Sequence, residues 1–153
     1  MAAYDSVIRG GRLATAAGSF VADVGVKDGR IVAIGEGLAR GANETDARGR
    51  IVTPGGIDSH VHIAQVSGMG IWTTDDFESG TRSAMCGGTT TTISFAAQHR
   101  GDSLRKVVEE YHRRAAGKTY IDYAFHLIVS DPTEQVLGQE LPALIADGLT
   151  SFK

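Results

Sequence analysis

Two alternations of apolar and polar positions divide the chain. Up to about residue 53, short runs are separated by glycines: Ser6-Val7-Ile8-Arg9 and Arg12-Leu13-Ala14-Thr15 flank Gly10-Gly11, and Val24-Gly25-Val26-Lys27 and Arg30-Ile31-Val32-Ala33-Ile34 flank Asp28-Gly29. Both patterns predict hairpins. Asp-Gly accepts the positive φ angles of a type I′ turn, which sets the register of the strands beside it. Residues 35–43 read as loop and 49–53 as one more strand. No helical period appears, so the segment is expected to be all-β.

The pattern changes at Pro54-Gly55-Gly56. A strand is predicted over 56–63, then a loop, then a helix opening near Thr74-Asp75-Asp76, with Asp75 and Glu78 spaced as a capping box and Phe77, Thr81, Ala84 and Met85 on one face. Gly87-Gly88 ends that helix, and the β-branched run Thr89–Phe95 forms the second strand. Leu104, Val107, Val108, Tyr111 and Ala115 recur with the helical period, and Tyr120–Val129 is the third strand. Asp131-Pro132-Thr133-Glu134 supplies an N-cap, a proline at the first helical position and a glutamate at the third; that helix is expected to be interrupted near Gly138 and Pro142 and to end at Gly148. Leu149–Lys153 begins a fourth strand. Residues 56–153 therefore read β-α-β-α-β-α-β, a parallel sheet with helices outside it, which suits either an open doubly wound sheet or a (β/α)8 barrel.

Composition narrows the function. Fifteen Lys and Arg against 18 Asp and Glu leave a net charge of −3, without the basic surplus that holds a nucleic acid or an anionic membrane. No apolar run approaches the ~20 residues that span a bilayer, and Met1-Ala2-Ala3-Tyr4-Asp5 has no signal-peptide character. One cysteine, Cys86, allows no internal disulfide, so a soluble protein of a reducing compartment is expected.

The chemistry gathers at His60 and His62. Two apart on a strand, they leave the same face. They lie at its C-terminal end, where parallel α/β folds place their active sites. Paired imidazoles suit zinc or another borderline divalent ion. Asp58 shares their face and is a candidate acceptor that orients them. His126 is expected to face the sheet interior as a packing or hydrogen-bonding residue, His99 and His112 to be ordinary loop and helix residues, and Cys86 to be a small buried filler.

Val52-Thr53-Pro54-Gly55-Gly56-Ile57-Asp58-Ser59-His60-Val61-His62 resembles the first-strand signature of the amidohydrolase superfamily. Asp75–Thr81, Gly87–Thr91, Ile121–Leu127 and Thr150–Lys153 extend the likeness, in order and spacing, to its hydantoinase and dihydropyrimidinase branch. That resemblance implies a metal-dependent (β/α)8 barrel preceded by part of a small β-sandwich, with residues 1–54 in the sandwich and 55–153 as the first half of the barrel. It implies two divalent metals, zinc foremost, with His60 and His62 as ligands and Lys153, carboxylated by CO2, bridging them. It further implies a hydroxide shared by the metals that opens a cyclic ureide or imide, and a homotetramer. The loop residues Gln65, Met69, Ile71 and Trp72 are expected to shape the substrate pocket. A barrel takes about 250 residues, so the polypeptide is expected to continue past Lys153, with further ligands, the proton shuttle and other catalytic groups there. Ala64, where dihydroorotase-like members carry arginine, argues against that substrate. An allantoinase-like enzyme is an alternative. So is a non-catalytic assembly protein like the collapsin response mediators, although those have lost metal ligands. An open-sheet nucleotide-binding domain lacks its glycine-rich loop.

Overall fold

The computed structural model describes residues 2–153, which form two compact units that divide between Pro54 and Gly55. The first is a five-stranded sheet of β1 (Tyr4–Thr15), β2 (Gly18–Lys27), β3 (Arg30–Gly35), β4 (Gly41–Asp46) and β5 (Ile51–Val52). The order is β3-β2-β1-β4, with β5 also on β1; the β1–β2 and β2–β3 pairs are antiparallel, and β4 and β5 run parallel to β1. Asp28 and Gly29 take φ of 50° and 71°, the turn expected between β2 and β3.

Gly10-Gly11 does not turn the chain. β1 runs straight through it, with a register slip between Ile8 and Gly11, and the reversal comes at Ala16-Ala17. The glycines mark a bulge. A side chain at Gly11 would stand 2.5 Å from Val52 Cγ2, and the Gly10 N–H donates to Asp23 Oδ1 at 2.8 Å. The residues from Gly41, read partly as loop, instead form β4. Its sequence GANETD has no apolar alternation to betray it. Backbone pairing to β1 and the Arg9 guanidinium, which bonds both Asp23 (2.9 Å) and Glu44 (2.5 Å), hold it in place. The small core beneath is Leu13, Ala22 and Val24.

The second unit contains β6 (Gly56–Val61), α1 (Phe77–Cys86), β7 (Thr89–Ala97), α2 (Leu104–Ala115), β8 (Asp122–Ile128), a π-helical turn (Val136–Glu140) and α3 (Leu141–Ala146). The three strands are parallel in the order β6-β7-β8. Residues 151–153 extend the sheet along β8: Leu127 N–H donates to the Ser151 carbonyl (3.0 Å), Lys153 N–H to the Leu127 carbonyl (2.8 Å) and Val129 N–H to the Lys153 carbonyl (2.9 Å). The helices bury one face of the sheet in a core that includes Phe77, Ala96, Leu104, Tyr111, Phe125 and Leu127.

Local capping departs from expectation by small steps. The box that opens α1 is Asp76 with Ser79, one residue beyond the expected start; Asp76 Oδ1 accepts from Ser79 N–H at 2.8 Å, and Ser79 Oγ accepts from Asp76 N–H. Phe77 and Thr81 are buried there, but Met85 and Cys86 are exposed. The cysteine is therefore no core filler: it ends α1 on the side turned from the sheet. Asp131 does not cap the last helix. Its carboxylate accepts from Gly101 N–H (2.9 Å), and the Thr133 hydroxyl accepts from Val136 N–H (3.2 Å) instead. The interruption expected around Gly138 and Pro142 is the π-helical turn, which lets the chain wind on where Pro142 has no N–H to offer.

Two buried polar side chains fix the loops above the sheet. Gln98, 2% exposed, accepts from the N–H groups of Ser130 and Asp131 (3.0 Å each) and donates to the Asp102 carbonyl (2.9 Å). Glu140, 7% exposed, caps α2 from the π turn, accepting from Arg105 N–H (3.0 Å) and Ser103 Oγ (2.9 Å). The Arg105 amide, first, and the Ser103 hydroxyl hold its carboxyl below the ordinary value of 4.5. A depressed native pKa means that the stabilisation is complete above the unfolded value and fades as pH falls through the native one. Glu140→Gln should lower stability at neutral pH by about 1–3 kcal/mol, and the two proteins should converge in acid; denaturant melts across pH 3–7 check both points.

Candidate active site

On the face opposite the helices, the C-terminal ends of the strands bring three nitrogen-bearing side chains around one aromatic ring. Phe95 on β7 is 4% exposed. The His60 and His62 rings lie 4.7 Å from it, His62 stacked at 14° and His60 tilted at 60°, and they are 5.5 Å from each other. Lys153 Nζ stands 5.0 Å over the same ring. Residues separated by up to 93 positions thus meet because parallel strands end together. Nothing in the sequence marked Phe95 beyond its place on the alternating strand.

Why both histidines point this way is a matter of the β6 backbone. The register between β6 and β7 slips, pairing Asp58 with Thr92 and Val61 with Ser94, so three steps on β6 match two on β7. This is a bulge, which bends the strand and re-aims its side chains. It also interrupts the ladder, and the backbone groups there need other partners. Asp58 Oδ1 accepts from the His60 N–H at 3.1 Å. Asp58 was expected to orient an imidazole; it holds the main chain beneath one. The Ser59 carbonyl accepts from His126 Nε2 at 2.9 Å, reaching across β7.

Gln65 turns to His62, its Oε1 on Nδ1 at 2.5 Å. An amide oxygen only accepts, so Nδ1 carries the hydrogen and Nε2 keeps a free lone pair. That tautomer leaves Nε2 available to ligate a metal. Two imidazoles and an amine that can take up CO2 suit divalent ions by donor chemistry. They are a partial set, since among the described residues no group of three His, Cys, Asp or Glu side chains is placed to hold a metal. His60, His62 and Lys153 are all exposed within these residues.

The loop after β6 is a small turn of its own: Ser67 N–H bonds the Ile71 carbonyl (2.8 Å), and Val66 bridges Trp72. Met69, Ile71 and Trp72 are 83%, 62% and 58% exposed. Arg114 of α2, which no sequence signal singled out, anchors it. Its guanidinium donates to the Ala64 carbonyl (2.8 Å), pairs with Glu110 (2.9 Å) and lies between the Trp72 and Tyr111 rings at 5.1 and 4.8 Å. Ala64 itself has φ of 49°, unusual for a residue with a side chain. His112 packs edge-on at 4.9 Å against Phe125, part of the core beneath the helices, and the His99 backbone N–H bonds the Asp102 carboxylate at 3.2 Å.

Residues 51–138 match the amidohydrolase family model. The chain belongs to the amidohydrolase family. Within it the likeness is to the hydantoinase and dihydropyrimidinase branch. The chain is 47% identical to a D-hydantoinase of Geobacillus stearothermophilus over 96% of its own length and 31% of the relative's. It is 41% identical to a rat dihydropyrimidinase, over 96% of its length and 29% of the relative's. A solved D-hydantoinase superposes with a TM-score of 0.91 at 45% identity, covering 97% of this chain and 32% of that one. The chain therefore spans about a third of the length of the amidohydrolases it matches. Among the described residues no helix is long and apolar enough to cross a membrane.

If Arg114 is what pins the loop, Arg114→Met should free the Ala64 carbonyl and the Trp72 ring together. Limited proteolysis of the intact protein should then cut within residues 64–73 several times faster, with an unchanged rate elsewhere; Arg114→Lys, which keeps the charge and a donor, should fall between.

Proposed function

We propose that this chain supplies the opening of a metal-dependent cyclic amidohydrolase that opens hydantoin or dihydropyrimidine rings. In this reading residues 55–153 are the first half of a (β/α)8 barrel, and residues 1–54 are part of a small β-sandwich. The observation that carries it is the gathering of His60, His62 and Lys153 over Phe95 at the strand ends, in a family whose D-hydantoinases and dihydropyrimidinases are similar along the whole chain.

His60 and His62 would both ligate one of two divalent ions, zinc by preference, and carboxylated Lys153 would be shared by the pair, the remaining ligands being expected outside this chain. Such ions polarise a carbonyl and bring the pKa of bound water to about 7. Lys153 prepares its own part. The neutral Nζ attacks the carbon of CO2, an N–C bond forms as one C=O π bond becomes C–O⁻, and the nitrogen gives up a proton to solvent, leaving a carbamate whose single negative charge is shared by two oxygens. Gln65 keeps the His62 hydrogen on Nδ1, so that Nε2 faces the ions. Phe95 supports all three groups from below and keeps water from one side of them.

The substrate would be a cyclic ureide or imide whose ring opens by addition of water across an amide C–N bond, leaving a carboxylate and a released N–H. Met69, Ile71 and Trp72 offer an apolar wall to a ring substituent. Cytoplasmic residence and a homotetrameric assembly belong to the same reading. His60→Ala in the intact protein should remove bound metal, measured by plasma emission, and should lower hydrolysis of dihydrouracil and 5-substituted hydantoins by more than the ~10–100-fold typical of losing a group behind a ligand. Retained metal with retained ring opening would overturn the assignment.

A further inference from the structure

We infer that His126 is a positioning residue that sets the end of the Lys153 strand against the bulge carrying His60. The inference rests on the reading of Lys153 and His60 given above. The His126 imidazole is bonded at both nitrogens. Nε2 meets the Ser59 carbonyl at 2.9 Å, and Nδ1 meets the Ser151 hydroxyl. A carbonyl oxygen only accepts, so Nε2 carries the hydrogen, and Nδ1 is left to accept from Ser151. Both ring nitrogens are thus engaged, and the ring is not free to bind an ion.

Its two partners lie on either side of the site. Ser59 precedes His60 within the β6 bulge, and Ser151 precedes Lys153 by two residues on the segment that pairs with β8. β7 and β8, the strand that carries His126, lie between them in the sheet. The imidazole crosses over β7 to reach β6, 5.1 Å from the Phe95 ring on which His60, His62 and Lys153 converge. Backbone bonds tie the Ser151–Lys153 segment to β8 alone. The His126 bridge supplies a lateral link from that segment to the His60 strand. Without it the carbonyl freed by the bulge loses its partner, and the spacing between Lys153 and His60 is left to the ladder.

The test is zinc uptake by CO2-depleted, metal-free intact protein as a function of added bicarbonate, with thermal melts of the metal-free form as a control for folding. For Ser151→Ala and for His126→Phe, the bicarbonate needed for half-maximal zinc loading should rise roughly three- to tenfold, as the loss of one or two hydrogen bonds predicts. High bicarbonate should restore full loading, which no folding defect would allow. Ser151→Thr, which keeps the hydroxyl, should load as the parent does. The double variant should be no worse than the poorer single one. An unchanged bicarbonate requirement in both single variants, or a deficit that bicarbonate leaves in place, overturns the role of His126 alone. Zinc loading of the parent that ignores bicarbonate and survives Lys153→Ala overturns the carbamate reading, and this inference with it.

Discussion

The arrangement over Phe95 depends on an irregularity in one strand. A regular parallel ladder along β6 would leave every backbone group engaged with β7 and would set His60 by the pleat alone. The slip between Asp58 and Val61 changes both. It turns the histidine strand at the sheet's C-terminal end, and it leaves an N–H and a carbonyl to be satisfied by side chains. Asp58 takes the first and His126 the second. Both bonds lie at exposed positions, so they fix the path of the strand rather than relieve a buried group. These two polar residues are therefore part of the same device as the histidines, although neither faces an ion.

The layers around that device divide the work. Helices α1 and α2 bury their apolar stripes on one face of the sheet, and the strands alternate, so His60, His62, Phe95 and His126 are left on the other. Loops are then fastened to one another and to the helices by polar side chains. Gln98 joins the loops after β7 and β8, Glu140 closes the N-terminus of α2, and Arg114 secures the segment after His62. Each is a charged or amide group that meets main-chain atoms, which fixes a backbone path without specifying the side chains along it. The path after His62 is thus fixed while Met69, Ile71 and Trp72 stay exposed.

The first unit obeys the same rule by different means. Arg9 joins Asp23 and Glu44, and β4 has hardly any apolar residue of its own. Its pairing is parallel and lies 35 residues along the chain from the arginine that secures it. Phe20, Ile31, Ile34 and Ile51 remain more than 40% exposed on this unit, against a small buried cluster of Leu13, Ala22 and Val24.

The sequence by itself determined whatever depends on short-range chemistry: the Asp-Gly turn, the β-branched second strand, the stripe of α2, the alternation of strands with helices, and the two histidines on one face. It failed where a residue has two local uses. Gly10-Gly11 serves a turn or a bulge equally well, and only the approach of Val52 selects the bulge. Asp75 and Asp76 can each cap, and Ser79 decides for the second. Cys86 has the size for a core but ends its helix on the outer side. Tertiary structure alone decided that Phe95 lies under the histidines, that Arg114 reaches Ala64, and that His126 spans from Ser59 to Ser151. Those contacts join positions 25–67 residues apart in the chain, and no period or motif encodes them, because a ring or a guanidinium meets its partner only once strand order and register have brought the two backbones together.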